Sequence, residues 1–491
     1  VENAEVQEGY LSWSQCPAED RLSLDSILLI IKETGDDSKQ YGYIISGLKE
    51  NAEDPEIPFK LVLLRTISLP DALLQKHQIS SVPTHLTNDE KNKVDVIVSI
   101  KSGTSLALKF WGSVLQPLLG LVRRELYGSS DGLTAVQSAS SLDVLITQSA
   151  ESVAQFARGL LPSEGIGSRE AATPSRTIIL LSGDGGVVDL LNGCDGIAPG
   201  QTRPLIALLP LGTANALFHS LHKPIYTSHQ PGSSSSPSPL VVALRTLLQG
   251  VPADLPVFRA SFSSGSRIVA PTVDDENVGS ANEEKEEKET GVGRLVSHLN
   301  GAIVASYGFH ASLVYESDTP AYRVHGSKRF GMVAQELLRE SHPYTAQVAI
   351  RRPGATADAF EVVPRDAHTY VLSTVVSNLE RTFTISPASR PLDGKLRLVH
   401  FGPVGGERTM KAMMAAYDEG KHVDMAWEDG QRVGYDEVEE VRVVIQEESE
   451  RWRKVCVDGT IIEVPQGGSM TVRTLEEGPL RVLVNPSILD R

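Results

Sequence analysis

The chain has 491 residues, 41% of them apolar and 22% charged, with a formal net charge of −16. That length allows two or three ordinary domains with sizeable cores, and the acidic balance argues against nucleic acid as a partner. No apolar run approaches the ~20 residues of a bilayer span. The first residues carry no signal-peptide pattern, and three cysteines without a CxxC pair fit a reducing, cytoplasmic setting rather than a disulfide framework or zinc site.

Residues 1 to 90 hold short runs such as "SILLIIKE", "YGYIISGL" and "PFKLVLLRTI", divided by turn-forming stretches. They predict a β-rich segment, expected to pack on the C-terminal domain. From 91 to 225 the texture changes to continuous apolar runs, each followed by a helical pattern. "VDVIVSI", "LDVLITQ", "RTIILLSG" and "RPLIALLPLG" head four strand-then-helix units. Such a succession predicts a three-layer α/β domain around a parallel sheet. Residues 226 to 240, with "HQPGSSSSPSP", read as a flexible spacer. From 241 to 491, short alternating strands predict an antiparallel, sandwich-like β domain. It is interrupted at 273–292 by an acidic stretch expected to be a solvated loop; eight acids stand against two lysines between 274 and 289.

The residues that could carry chemistry lie where apolar strands turn into helices. "LLSGDGGVVDLLNG" sets Ser182, Gly183, Asp184, Gly185 and Gly186 at the carboxyl end of a buried strand, which is where ligands bind in open α/β sheets. Helix N-termini favour anions, and glycines let a phosphate approach the backbone. An aspartate there suits a metal ion or a hydroxyl that attacks phosphorus; a tight turn whose aspartate only caps its helix is the alternative. "LIALLPLGTANAL" repeats the pattern with Gly212, Thr213 and Asn215, so the two junctions are expected to form a two-sided anion cradle. Neither a P-loop nor a dinucleotide fingerprint at a strand–helix turn is present.

The paired motifs S-G-D-G-x-x-x-[acid]-x-x-N-G and P-x-G-[ST]-x-N-A-L resemble the diacylglycerol kinase catalytic family, and within it the sphingosine kinases, along residues 94 to 475. The resemblance implies an α/β nucleotide domain before a β-rich lipid domain, ATP and Mg²⁺ as cofactors, a lipid substrate and peripheral membrane contact. It makes Asp184 the catalytic aspartate and a metal ligand, with Asp189 at the family's glutamate position. Lys101, Ser102, Gly103 and Thr104 take the first glycine-rich loop, and Gly212, Thr213 and Asn215 the second nucleotide loop. Arg323 and Arg329 in "SYGFHASLVYESDTPAYRVHGSKRFG" would face ATP phosphates, and Asp458 in "CVDGTII" would approach metal and nucleotide. Three departures accompany it. The first loop reads Ser99-Ile100-Lys101-Ser102-Gly103 instead of N-P-x-S-G. Val314 stands where sphingosine kinases bind the sphingoid head group with an acid, and Thr460 replaces the glutamate of D-G-E. The implied reaction is phosphorylation of a lipid hydroxyl, with a sphingoid base as first choice. A diacylglycerol-like acceptor, a non-catalytic nucleotide- or lipid-binding relic and NAD kinase are the alternatives.

Overall fold

The structure is a computed structural model and describes residues 4–13, 21–33, 42–103, 105–127, 142–161, 174–197, 201–227, 236–269, 293–326 and 328–489. The acidic stretch 274–289, most of the spacer and Thr104 lie outside the described residues. The chain forms two compact units, Val1–Asp254 with Pro479–Arg491, and Leu255–Gly478.

In the first unit a six-stranded sheet runs in the order Val251–Asp254, Arg481–Val484, Leu205–Pro210, Ser175–Ser182, Asn92–Val98, Asp143–Ile146. All its pairings are parallel except that of Val251–Asp254 with Arg481–Val484. The central strands bury both faces, as their unbroken apolar runs require: Ile178 to Leu181 and Val96 to Val98 are almost fully enclosed. Helices Gln116–Tyr127, Ser152–Arg158, Asp184–Gly193, Ala216–Thr227 and Pro239–Gln249 complete the α/β layers.

Two elements sit differently from expectation. Helix Pro239–Gln249 and strand Val251–Asp254 belong to the first unit, and the chain returns at its end to add Arg481–Val484 to the parallel sheet. The N-terminal segment, expected to pack on the C-terminal domain, packs within the first unit. Its four-stranded sheet, in the order Phe59–Thr66, Tyr43–Glu50, Ile27–Lys32, Gln78–Ile79, shares one core with the α/β layers, joining Leu28, Leu29, Ile31 and Ile44 to Val94, Val241, Leu244 and Leu248. The reason is local. Helix Pro239–Gln249 is apolar nearly all round, so it needs cover on the side away from the parallel sheet. Strand Ile27–Lys32 is apolar on both faces and supplies it. The half-buried Arg245 guanidinium fixes the contact by donating to the carbonyls of Ile27 (2.8 Å), Asp25 (3.0 Å) and Leu24 (3.2 Å).

The second unit is built on two seven-stranded sheets. One runs His298–Gly301, Phe258–Phe262, Ser469–Thr474, Glu440–Ile445, Tyr344–Arg351, Phe360–Val362, with Ala367–His368 also pairing with Tyr344–Arg351. The other runs Arg267–Ile268, Thr460–Glu463, Lys454–Val457, Val304–Gly308, Tyr370–Thr374, Leu396–Phe401, Gly434–Val438. Every pairing is antiparallel. Tyr307 of one sheet meets Tyr344 of the other edge-to-face at 5.8 Å, and its hydroxyl donates to the Thr345 carbonyl. Helix Phe309–Ser317 packs on the second sheet. Among the described residues no helix is long and apolar enough to cross a membrane.

Candidate functional site

Three neighbouring parallel strands, Asn92–Val98, Ser175–Ser182 and Leu205–Pro210, end side by side, and the turns beyond them interlock through glycine. A Cβ on Gly212 would lie 2.3 Å from the Gly183 Cα, one on Gly183 would lie 2.9 Å from the Gly212 Cα, and one on Gly103 would lie 2.6 Å from the Leu211 carbonyl oxygen. Gly103 also takes φ +54°, which disfavours any other residue. The closest contact of each is with backbone, so turning a side chain cannot relieve it. Polar bonds set the spacing. The Gly183 N–H donates to Ser102 Oγ at 2.8 Å, and the Gly212 N–H donates to Asn215 Oδ1 at 2.9 Å. Asn215, at φ +50°, donates in turn from Nδ2 to the Gly212 carbonyl at 3.0 Å; asparagine tolerates that left-handed backbone better than most residues. Gly186 packs on Ser182, where a Cβ would come within 2.7 Å of Oγ. Gly185 is different. It is exposed, and a Cβ there would meet nothing within 4 Å. Lys101 and Thr213 are exposed beside these turns.

Asp184 opens helix Asp184–Gly193 yet spends its carboxylate on the neighbouring helix. Oδ2 accepts the Ala216 N–H at 2.8 Å and Oδ1 accepts the Leu217 N–H at 3.1 Å. The first-turn amides of a helix have no partner inside it, and here Asp184 provides one for helix Ala216–Thr227. This alters the expected two-sided anion cradle, because the second helix already holds an anion of the protein's own. The first turn of the Asp184 helix is the one that remains for a ligand. Burial pushes the Asp184 carboxyl above the ordinary aspartate value, and the amides of Ala216 and Leu217 pull it part of the way back. Asp189, one and a half turns on, is pushed up to about 6 by burial.

The remaining site candidates lie in the second unit. Arg323 grips Asp318 with a two-pronged contact, Nε to Oδ1 at 3.0 Å and Nη2 to Oδ2 at 2.7 Å. Arg329 approaches the same carboxylate at 3.5 Å. Asp458 has φ +45° and precedes Gly459 at φ +90° in the two-residue turn between Lys454–Val457 and Thr460–Glu463, the signature of an Asp-Gly hairpin. Its carboxylate accepts the amides of Ala302 (2.6 Å), Ile303 (3.1 Å) and Val304 (2.6 Å). Glu463 pairs with Lys454. Val314 packs in a small apolar cluster with Ala311, Cys456 and Ile461, and the Ser312 hydroxyl accepts a hydrogen bond from the Tyr344 hydroxyl at 2.9 Å. Among the described residues no group of three or more His, Cys, Asp or Glu side chains is set to hold a metal ion. Asp184 and Asp458 both accept backbone amides.

The family model for the diacylglycerol kinase catalytic domain matches residues 131–237. That segment resembles a diacylglycerol kinase catalytic domain, in divergent form. Among solved structures it is similar to a candidate diacylglycerol kinase from Bacillus anthracis str. Sterne, at 15% identity over 82% of this chain and 99% of that one, with a TM-score of 0.48. A second diacylglycerol kinase structure from that organism is 14% identical over 82% and 100% of the two chains, with a TM-score of 0.44. Yeast NADH kinase complexed with NADH is 10% identical over 90% and 89%, with a TM-score of 0.34. No curated protein matches the chain. The diacylglycerol kinase catalytic domain thus includes both the Asp184 turn and the Gly212–Asn215 turn, while Lys101 to Gly103, Arg323, Arg329 and Asp458 fall outside the matched segment. The domain is that of a kinase. What the sequence did not announce is the use of Asp184 as a cap for the next helix and the meeting of two arginines on Asp318. Only the acid five residues before Arg323 hinted at the second.

Proposed function

We propose that this chain transfers the terminal phosphoryl group of ATP to a lipid hydroxyl, and that a sphingoid long-chain base is the acceptor. The observation that carries the reading is the exposed first turn at Gly185, held beside the half-buried Asp184 by three glycine turns that admit no side chain. Phosphate oxygens suit a helix first turn where no Cβ intervenes. Lys101, Ser102 and Thr213 line the same junction and suit phosphate as cation and hydroxyl donors. In the reaction the lipid oxygen bonds to the terminal phosphorus as the bridging P–O bond to ADP breaks. The hydroxyl proton passes to Asp184, whose oxygens each keep a lone pair beyond the amide they accept. Its raised pKa makes the carboxylate a better proton acceptor than an ordinary aspartate. Magnesium, on this reading, accompanies the nucleotide, held by its phosphates and water.

One observation favours a second acceptor. Val314 and its apolar neighbours offer no carboxylate to a sphingoid amine at that position, which suits a diacylglycerol-like lipid. The test is incubation of the purified chain with γ-labelled ATP and Mg²⁺, separately with a sphingoid base, diacylglycerol vesicles and NAD. Labelled sphingoid base is the expected product. Label only in diacylglycerol selects the second acceptor, label in NAD replaces the lipid reading, and no label anywhere refutes turnover.

A further inference from the structure

The first glycine turn leads into a helix that leans on the N-terminal sheet. Residues 107 to 127 run as helix Ala107–Phe110, a π turn over Trp111–Leu115 and helix Gln116–Tyr127. The π turn has a local cause. Pro117 lacks an N–H, and in a regular α-helix its ring would strike the Ser113 carbonyl. A wider turn just before it gives the ring room, and there the Gln116 N–H donates to the Trp111 carbonyl, five residues back. Beyond the π turn, Leu118, Leu119, Leu121 and Val122 are buried in the α/β core. Ahead of it, the Phe110 ring meets Phe59 of the edge strand Phe59–Thr66 edge-to-face at 5.0 Å. Beside that pair, Lys109 Nζ donates to the Pro55 carbonyl at 2.6 Å. Bonds continue from Phe110 back to the turn. Its N–H donates to the Leu106 carbonyl at 2.9 Å, and the Ser105 N–H donates to the Ser102 carbonyl at 2.9 Å. Gly103 lies inside that last span, against Leu211 and Gly212, where the backbone leaves no room for a Cβ.

We propose that the N-terminal sheet positions the first glycine turn, and that the Phe59–Phe110 pair is the link through which it does so. A regular helix would tie its first residues rigidly to its last. The π turn loosens that tie, so the short helix Ala107–Phe110 takes its direction from the strand it packs on. The turn at Gly103, four residues ahead of Ala107, follows that direction. Phe59 and Phe110 are therefore positioning residues. An edge-to-face aromatic pair can hold a local opening closed by about tenfold. The consequence for ATP rests on the phosphate reading of these turns given above, whereas the positioning itself does not.

The experiment measures amide hydrogen exchange in the full chain and in Phe59→Leu, Phe110→Leu and the double variant, with melting temperature and MgATP affinity on the same samples. Leu22→Ala is the control. Leu22 is fully buried in a separate apolar cluster of the N-terminal segment, and its truncation costs at least as much stability as a Phe→Leu exchange. In each Phe variant, exchange in peptides covering Ser99 to Leu106 should rise about tenfold, with ATP affinity falling alongside. The double variant should exceed neither single one by much, because the two rings act as one contact. Leu22→Ala should melt lower yet exchange at the parental rate in those peptides. Parental exchange there in both Phe variants overturns the inference. So does an equal rise in Leu22→Ala, which would assign the effect to general loosening, or a double variant whose rise is the product of the two single ones. Faster exchange with undiminished ATP affinity overturns the positioning role. If the parent chain binds no ATP, the phosphate reading falls by itself, and the exchange rates still decide whether the sheet holds the turn.

Discussion

Asp184→Asn is a sharper probe here than an ordinary carboxylate-to-amide exchange, because the side chain has two jobs. Its oxygens accept the amides of Ala216 and Leu217 at 2.8 and 3.1 Å. Asparagine supplies one oxygen and replaces the other with an NH₂ group. One helix amide would keep its acceptor, and the second would face another donor. Leaving a buried donor unpaired costs about 1–3 kcal/mol, and relief of the buried charge offsets part of it. A loss of about 1–2 kcal/mol should lower the melting temperature by roughly 2–6 °C for a unit of this size. If Asp184 also accepts the hydroxyl proton, turnover per folded molecule should fall by about 10²–10⁴-fold. The two effects are separated by Leu191→Ala on the same helix. Leu191 is fully buried, and truncating such a side chain costs about 2–5 kcal/mol without altering the turn. Turnover from γ-labelled ATP, ATP affinity and melting temperature should be measured together, well below both transitions. Near-parental turnover in Asp184→Asn, or an equal loss of turnover in Leu191→Ala, would refute the proton-acceptor role.

Gly212→Ala should be among the most damaging small substitutions in the chain, since its Cβ would sit 2.3 Å from the Gly183 Cα, a backbone atom, and 2.8 Å from Asn215 Oδ1; parental melting and ATP affinity would show that the turns do not interlock. Asp189→Asn should stabilise the protein in a pH-dependent way. The folded carboxyl titrates at about 6 against a reference of 3.8, so the folded state binds more protons between those values and this group's contribution to stability declines as pH rises through the window. The gain on removing it should be about 1–2 kcal/mol above pH 7 and vanish near pH 4; a pH-independent gain in melting temperature would contradict that origin. Arg245→Ala leaves the carbonyls of Leu24, Asp25 and Ile27 without their donor and should cost about 3–5 kcal/mol. Limited proteolysis should then cut within the N-terminal segment first, and unchanged resistance would argue that this packing is dispensable.

The parallel sheet was legible because strands buried on both faces must be apolar without interruption, and "TIILL" and "LIALL" are. The glycine turns at strand ends were legible for the same positional reason. Partnerships across the chain were not. Asp184 and Ala216 are 32 residues apart, Gly183 and Ser102 are 81 apart, and the Asp458 carboxylate reaches amides 154 to 156 residues away. No local pattern announces such contacts. The strand Arg481–Val484 illustrates the same limit: its residues announce a strand but not which sheet it joins. The N-terminal segment could have been assigned more closely. Helix Pro239–Gln249 is apolar nearly all round, so it needed cover from an apolar sheet, and Ile27–Lys32 was the candidate. The resemblance sets Asp458 near metal and nucleotide, while the positive φ and the three amides it accepts, which tie a hairpin to the strand Val304–Gly308, could not be read from the sequence.

The most direct measurement is ATP affinity in Gly185→Ala. A Cβ at this position meets nothing within 4 Å, and alanine is favoured over glycine within a helix by about 1 kcal/mol. The substitution should therefore leave the melting temperature equal or slightly higher. If the phosphates of ATP lie against the first turn of helix Asp184–Gly193, the added methyl group occupies their space. The expected result is ATP binding weakened at least about tenfold, as for a packed site that loses its close backbone approach, in a protein of undiminished stability. ATP affinity equal to the parent's in that stable variant would contradict phosphate binding at this turn.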